Sequence, residues 1–104
     1  MLNGTTYSAI SNSIWARGDV TAFSDSRVKT NIEVVENAIE KIKAIRGVTF
    51  NSTDMERDTK RHAGVIAQEV LAVLPEVVTT TRDGMHSVAY GNLAALFIEA
   101  IKEQ

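Results

Sequence analysis

Two segments of this chain, 31–46 and 92–104, place apolar residues at three- and four-residue steps, and the stretch between them does not. In the first, Val35, Ala38, Ile39, Ile42 and Ile45 form a single stripe, the pattern of an amphipathic helix with one buried face. Glu33, Glu36, Glu40, Lys41 and Lys43 lie largely off that stripe, and Glu40 and Lys43 are spaced to pair on the helix surface. Thr30 and Glu33 have the spacing of a capping box, and Gly47 suits the left-handed residue that closes a helix. The pattern predicts a helix over 31–46. In the second segment Leu93, Leu96, Phe97, Ala100 and Ile101 make one stripe, while Ala94 and Ile98 put apolar groups on another. A helix apolar on two faces has more than one neighbour to bury against. The second face is expected either to meet a partner chain or to belong to a helix buried deeply within its own domain.

The intervening residues read as short strands and turns. Val48-Thr49-Phe50-Asn51 is a short strand, and the polar run 52–61 is an exposed loop or hairpin turn. Ala63-Gly64-Val65-Ile66-Ala67 reads as a buried strand leading into a helix from Gln68 to Leu74, which Pro75 ends. Val77-Val78-Thr79-Thr80-Thr81 and the segment 85–90 flank the turn Arg82-Asp83-Gly84 and form a hairpin. A first helix, short strands and a C-terminal helix within 104 residues make one small α+β domain. Its apolar content of 44% is ample for a core.

Residues 1–23 differ in character. They are rich in Ser, Thr, Asn and Gly, and Leu2, Tyr7, Ile10, Ile14, Trp15 and Val20 show no helical period. The run 7–11 alternates loosely, as an extended strand does. A segment with so little apolar mass builds no core of its own and reads as the end of another domain.

Composition excludes several chemistries. With no cysteine there are no disulfides, thiolate metal sites or cysteine nucleophiles. The net charge is −2 and no Lys/Arg block offers a phosphate-binding surface, so nucleic acid is not an expected partner. No apolar run has membrane-spanning length, and Met1 is not followed by a secretory signal pattern. His62 and His86 lack the company of a metal site, and no cofactor is expected.

The run Phe23-Ser24-Asp25-Ser26-Arg27-Val28-Lys29 carries the pattern Ser-Asp-x-Arg-x-Lys. On those seven residues alone, Ser24 and Asp25 read as turn residues ahead of a helix, and Lys29 as a surface charge. More blocks follow in order: Gly47-Val48-Thr49-Phe50, then His62-Ala63-Gly64-Val65-Ile66-Ala67-Gln68-Glu69-Val70, Pro75-Glu76-Val77-Val78, and Val88-Ala89-Tyr90-Gly91-Asn92-Leu93. Together, over residues 23–104, they resemble the intramolecular chaperone auto-processing domains that terminate phage endosialidases, tail fibres and neck appendages. A related domain occurs in a myelin-associated transcription factor. Several ordered blocks are far more specific than one short motif.

The resemblance implies a homotrimeric domain with helices at the subunit interface, which drives assembly of the fibre upstream of it and is released by one self-inflicted cut. It implies Ser24 as nucleophile, Lys29 as its base and Ser24–Asp25 as the scissile bond of a single-turnover serine peptidase. Arg27 and His62 are supporting positions, Arg27 as a nearby positive charge and His62 as an orienting or subunit-contact residue. Residues 1–24 are then the last piece of a fibre or tailspike, 25–104 the chaperone, and the setting a virion tail-fibre precursor assembled in the bacterial cytoplasm. A Ser–Lys pair is coherent chemistry, since a serine hydroxyl needs a base and a lysine serves only when neutral. Two other expectations compete: a trimerisation cap that stays attached, and a receptor- or glycan-binding fibre tip. Aromatic residues make up only 6% of the chain and Trp15 lies ahead of the domain, which weighs against the tip.

Overall fold

A computed structural model of the chain describes residues 13–53 and 59–104. The chain divides into two units, 1–32 and 33–104. The strand-like run expected at 7–11, and the middle of the loop expected at 52–61, lie outside the described residues.

In the first unit, residues 13–32 contain one short 3-10 turn, Ser26–Val28, and no helix or strand besides. Every one of these residues is exposed, Trp15 at 81% and Phe23 at 98%.

The second unit is a small mixed domain of helices and strands, in keeping with the α+β class. Helix α1 (Ala38–Lys43) leads to strands β1 (Val48–Asn51) and β2 (Arg61–Gly64), and then to helix α2 (Ala67–Val73). A 3-10 turn at Pro75–Val77 precedes strands β3 (Val78–Thr80) and β4 (His86–Val88), and a second at Tyr90–Leu93 opens helix α3 (Ala94–Glu103). The strands form two separate antiparallel pairs: β1 with β2 in the register Val48 to Gly64, and β3 with β4 in the register Val78 to Val88.

The core is built from the helices and the base of the second hairpin. Ala38, Val70, Leu74, Val77, Leu93, Leu96 and Ala100 are buried, with Val35, Ile39, Ile42, Ile45, Val65, Val73, Val78 and Val88 packed around them. The stripe expected on the first helix therefore faces the core as its spacing requires. The helix itself is shorter than its periodicity predicts. Asn31 and Asn37 both adopt the left-handed conformation at φ 54°, and a right-handed helix cannot run through such a residue. The capping box of Thr30 and Glu33 consequently does not form. The amides at the start of α1 turn instead to Glu103, whose carboxylate accepts from Ala38 N at 2.9 Å and from Ile39 N at 3.1 Å. Nor do Glu40 and Lys43 pair; the i,i+3 ion pair among the described residues is Glu99 with Lys102, 3.3 Å apart on α3.

Gly47 is not the left-handed closure of α1. The helix tightens into shorter bonds, Ala44 N to Lys41 O at 3.1 Å and Ile45 N to Ile42 O at 3.0 Å, and Arg46 grips Glu69 of α2 through its amide at 3.0 Å and its Nε at 2.8 Å. The left-handed glycine among the described residues is Gly84, at φ 87° in the turn of the second hairpin. There Gly84 N donates to Thr81 O at 3.0 Å, and the Thr81 hydroxyl both donates to Asp83 and accepts from Met85 N. The turn is thus where the sequence puts it, although strand pairing stops at Val88 and Tyr90 belongs to the 3-10 turn. The strand expected at 63–67 starts two residues earlier and ends at Gly64, with Ala63 exposed and Ile66 serving as the extended boundary residue of α2. α2 stops before Pro75, whose ring bars the preceding residue from the helical region; Leu74 sits at φ −144°, ψ 68°.

Tyr90 joins the two hairpins. Its hydroxyl accepts from Val65 N at 3.2 Å and lies against Gly64. A Cβ at Gly64 would overlap that hydroxyl, whereas one at Gly47 would meet nothing within 4 Å. Gly64→Ala is therefore expected to lower stability by about 1–3 kcal/mol through overpacking. Gly47→Ala is expected to raise it by about 0.4–1 kcal/mol through loss of unfolded-state freedom. Urea denaturation of the two variants beside the unsubstituted chain checks both signs.

Candidate functional site

The expected site residues Ser24, Asp25, Arg27 and Lys29 all lie on the exposed segment of the first unit, around the 3-10 turn. That turn forms because Asp25 caps it. In an extended conformation at φ −65°, ψ 139°, Asp25 turns its carboxylate onto the Arg27 amide, Oδ1 to N at 2.9 Å. Its carbonyl accepts from Val28 N at 3.0 Å, and Ser26 O accepts from Lys29 N at 3.1 Å.

The Arg27 side chain closes on the same carboxylate as a fork, Nε to Oδ1 at 3.0 Å and an Nη to Oδ2 at 2.8 Å. The side-chain bonds from Arg27, and then its amide, hold the Asp25 carboxyl below the usual aspartate range, and the carboxylate in turn raises Arg27. The clasp is solvent-exposed, so its strength is screened. It nevertheless fixes where the positive charge goes. A guanidinium balanced by a carboxylate two residues away offers little net positive field to Lys29, the part the sequence had left open for Arg27.

Ser24 and Lys29 flank the turn on opposite sides. Ser24 precedes the capping residue, so the Ser24–Asp25 bond is the last peptide bond before the turn, and Lys29 follows it in an extended conformation at φ −126°, ψ 145°. No hydrogen bond joins their side chains in the single chain, and both are exposed. What the structure brings together is Asp25 with Arg27, an association that Asp at a turn boundary signals but that its spacing from Arg27 does not single out.

His62 sits in the second unit, half-buried on β2. It pairs across the strands with Phe50, the two rings stacked at 5.7 Å between centroids and 28° between planes. On the other face of the hairpin, Arg61 reaches Asn51 Oδ1 at 2.9 Å and Thr49 Oγ1 at 2.6 Å. His86 is likewise a cross-strand residue, its Nδ1 2.7 Å from the Thr80 hydroxyl. Among the described residues no cluster of His, Asp or Glu is arranged to hold a metal ion, and no helix is long and apolar enough to cross a membrane.

A further feature lies on α3. Leu96 and Ala100 are buried, yet Phe97, Ile98 and Ile101 remain 48%, 54% and 69% exposed, and Ala94 is exposed beside them. Phe97 and Ile101, expected on the stripe of Leu93, Leu96 and Ala100, are exposed and fall instead with Ala94 and Ile98: positions 94, 97, 98 and 101 recur at steps of three and four and share one face. Among the described residues of 33–104 nothing covers that face.

Comparison with known proteins places the exposed motif in context. The family described as chaperone of endosialidase, whose name classes it among peptidases, matches residues 24–79 and begins on the motif serine. This chain belongs to that family. It is 40% identical over 92 residues to the long tail fibre protein Gp37 of Escherichia phage AR1, an alignment covering 82% of this chain and 8% of that protein. It is 35% identical over 91 residues to Gp37 of Salmonella phage S16, covering 80% of this chain and 12% of the relative. With Gp37 of Enterobacteria phage Ox2 the identity is 37% over 92 residues, covering 82% and 37%. The chain thus spans a minor part of the length of these tail fibre proteins. The family match includes the Ser24–Lys29 motif, both strands of the first hairpin and α2; α3 lies beyond it.

The clasp makes a local prediction. In Asp25→Ala the Arg27 and Val28 amides should lose their protection from exchange, while the thermal midpoint of the chain stays unchanged, because residues 13–32 bury no side chain in the core. In the unsubstituted chain the same opening should follow acidification. Its folded carboxyl value is depressed, so the clasp's contribution is complete above the ordinary aspartate value and is lost as pH falls through the lower one. Amide exchange resolved by residue measures both.

Proposed function

We propose that this chain is a tail-fibre chaperone which assembles as a homotrimer and then releases itself by cutting the Ser24–Asp25 bond. Residues 1–24 are the last piece of the fibre, and 25–104 the part that is shed. The assembly takes place on a virion precursor in the bacterial host. The family membership and the tail-fibre relatives support the chaperone role. The observation that carries the assembly is the uncovered stripe of Ala94, Phe97, Ile98 and Ile101. An apolar face at that spacing is the seam on which helices from separate chains associate. Three long chains searching for register face a large entropic barrier, and a compact trimerising domain raises their local concentration. Removing it afterwards leaves the fibre kinetically trapped.

The chemistry fits the exposed motif. An amine base must be neutral, and burial is what disfavours the ammonium form. Lys29 is exposed among the described residues, and burial by neighbouring chains in the trimer would make cutting conditional on assembly. The Ser24 oxygen cannot attack its own carbonyl without forming a four-membered ring. The nucleophile on this bond is therefore a water or the Ser24 hydroxyl of another chain. Lys29 takes the proton from that nucleophile and returns it to the departing Asp25 amine. With water as nucleophile the products form in one displacement; with serine, water then cleaves the ester. Asp25 and Arg27 hold the bond at the entry of a defined turn, and His62 serves the hairpin through Phe50.

Intact-mass analysis after expression tests both parts. The expected product starts at Asp25, and Ser24→Ala and Lys29→Ala remain whole. A product one serine longer would mean attack on the Phe23 carbonyl and a cut before Ser24. If the unsubstituted chain is trimeric and whole, it is a cap that stays attached. Phe97→Glu and Ile98→Glu change exposed positions, so the chain should stay folded by circular dichroism, sediment as a monomer and remain uncut. A trimer in either variant removes α3 from the interface.

A further inference from the structure

Helix α1 has no N-terminal cap of its own. Asn37, at its boundary, is left-handed at φ 54°, ψ 45°, and makes no side-chain capping bond. The first two amides of the helix are instead satisfied by a single carboxylate 65 and 64 residues away, that of Glu103 in the last turn of α3: Oε2 to Ala38 N at 2.9 Å and Oε1 to Ile39 N at 3.1 Å. A helix of six residues is far below the length that stands alone in water, so α1 depends on its tertiary contacts.

Both oxygens of Glu103 are acceptors, and the ionised form serves both amides best. On protonation one oxygen becomes a hydroxyl, a weaker acceptor whose O–H has to turn away from the amide, so the charge-assisted bonds are weakened. We infer that Glu103 is an acid-sensitive latch, through which the ionised and docked end of α3 holds the first turn of α1 in helical form.

The charges around the latch agree with this. From α1, Lys41 faces the carboxylate and favours its ionised form, while Glu40 is the like charge within the first turn. On α3 itself Lys102 is occupied by Glu99 at 3.3 Å. The 3-10 turn Tyr90–Leu93, also packed against α3, brings no charged side chain. The Ala38 amide, then the Ile39 amide, with a smaller contribution from Lys41, hold the Glu103 carboxyl below the usual glutamate range. The folded value is depressed, so the latch's stabilisation is complete above the ordinary glutamate value and is lost as pH falls through the lower folded one.

The latch stands whether or not the chain cuts itself, because it rests only on contacts within 33–104.

Nitrogen–proton correlation spectra of the full chain, taken from about pH 7 down to about pH 3, test the inference directly. The amide protons of Ala38 and Ile39 should shift together, with one midpoint below the roughly 4.3 of an ordinary glutamate. In Glu103→Gln that shared shift should vanish, and both amides should exchange with deuterium about tenfold faster or more while Val70 in α2 keeps its protection. Unchanged exchange at Ala38 and Ile39 in Glu103→Gln would overturn the latch. So would a midpoint at the ordinary glutamate value in the unsubstituted chain, a titration that decides the matter even if the variant does not fold.

Discussion

The packing of α3 against α1 is the contact on which the rest of the domain leans. Leu96 and Ala100 bury against the stripe of α1, and the Glu103 carboxylate closes the same contact at its far end. Neither two-stranded pair would persist alone, since an isolated hairpin is marginal in water. Each is held by what surrounds it: β3 and β4 by α2 and the core residue Val77, and β1 with β2 through the Tyr90 hydroxyl beside Gly64. Apolar burial supplies the cohesion and the polar contacts specify the arrangement, which is why the described residues leave no buried side-chain polar atom without a partner.

The two faces of α3 differ: the inward one organises the domain, and the outward one is exposed among the described residues. In the proposed trimer this division keeps the residues of the monomer fold separate from those of the interface. In the proposed cutting step a neutral amine is favoured by burial, and the clasped Asp25–Arg27 pair contributes little net field, so in that step the burial is assigned to assembly.

The fit between sequence and structure differs from one element to another. The stripe of Val35, Ala38, Ile39, Ile42 and Ile45, the stop at Pro75 and the turn at Gly84 were legible, as was a final helix apolar on two faces, though not that Phe97 and Ile101 belong to the exposed one. Each depends on local geometry: side-chain period, ring constraint or backbone freedom. The first helix was read too long because Asn31 and Asn37 take the left-handed conformation, a choice Asn permits but does not announce. The motif of Ser24, Asp25 and Lys29 was legible as a string of residues, and with it the family. The pairing of Arg27 with Asp25 was not, because other carboxylates and solvent compete for any exposed guanidinium.

Sequence alone therefore determined the core-facing stripe that leads into α1, where the chain turns and which family it belongs to, since these follow from nearest-neighbour geometry and residue type. Tertiary structure decided where α1 begins, that its cap comes from Glu103, that Tyr90 bridges the hairpins, and which face of α3 is left uncovered. Those features join residues far apart along the chain, and their partners are selected by packing in space, for which spacing along the sequence carries no signal.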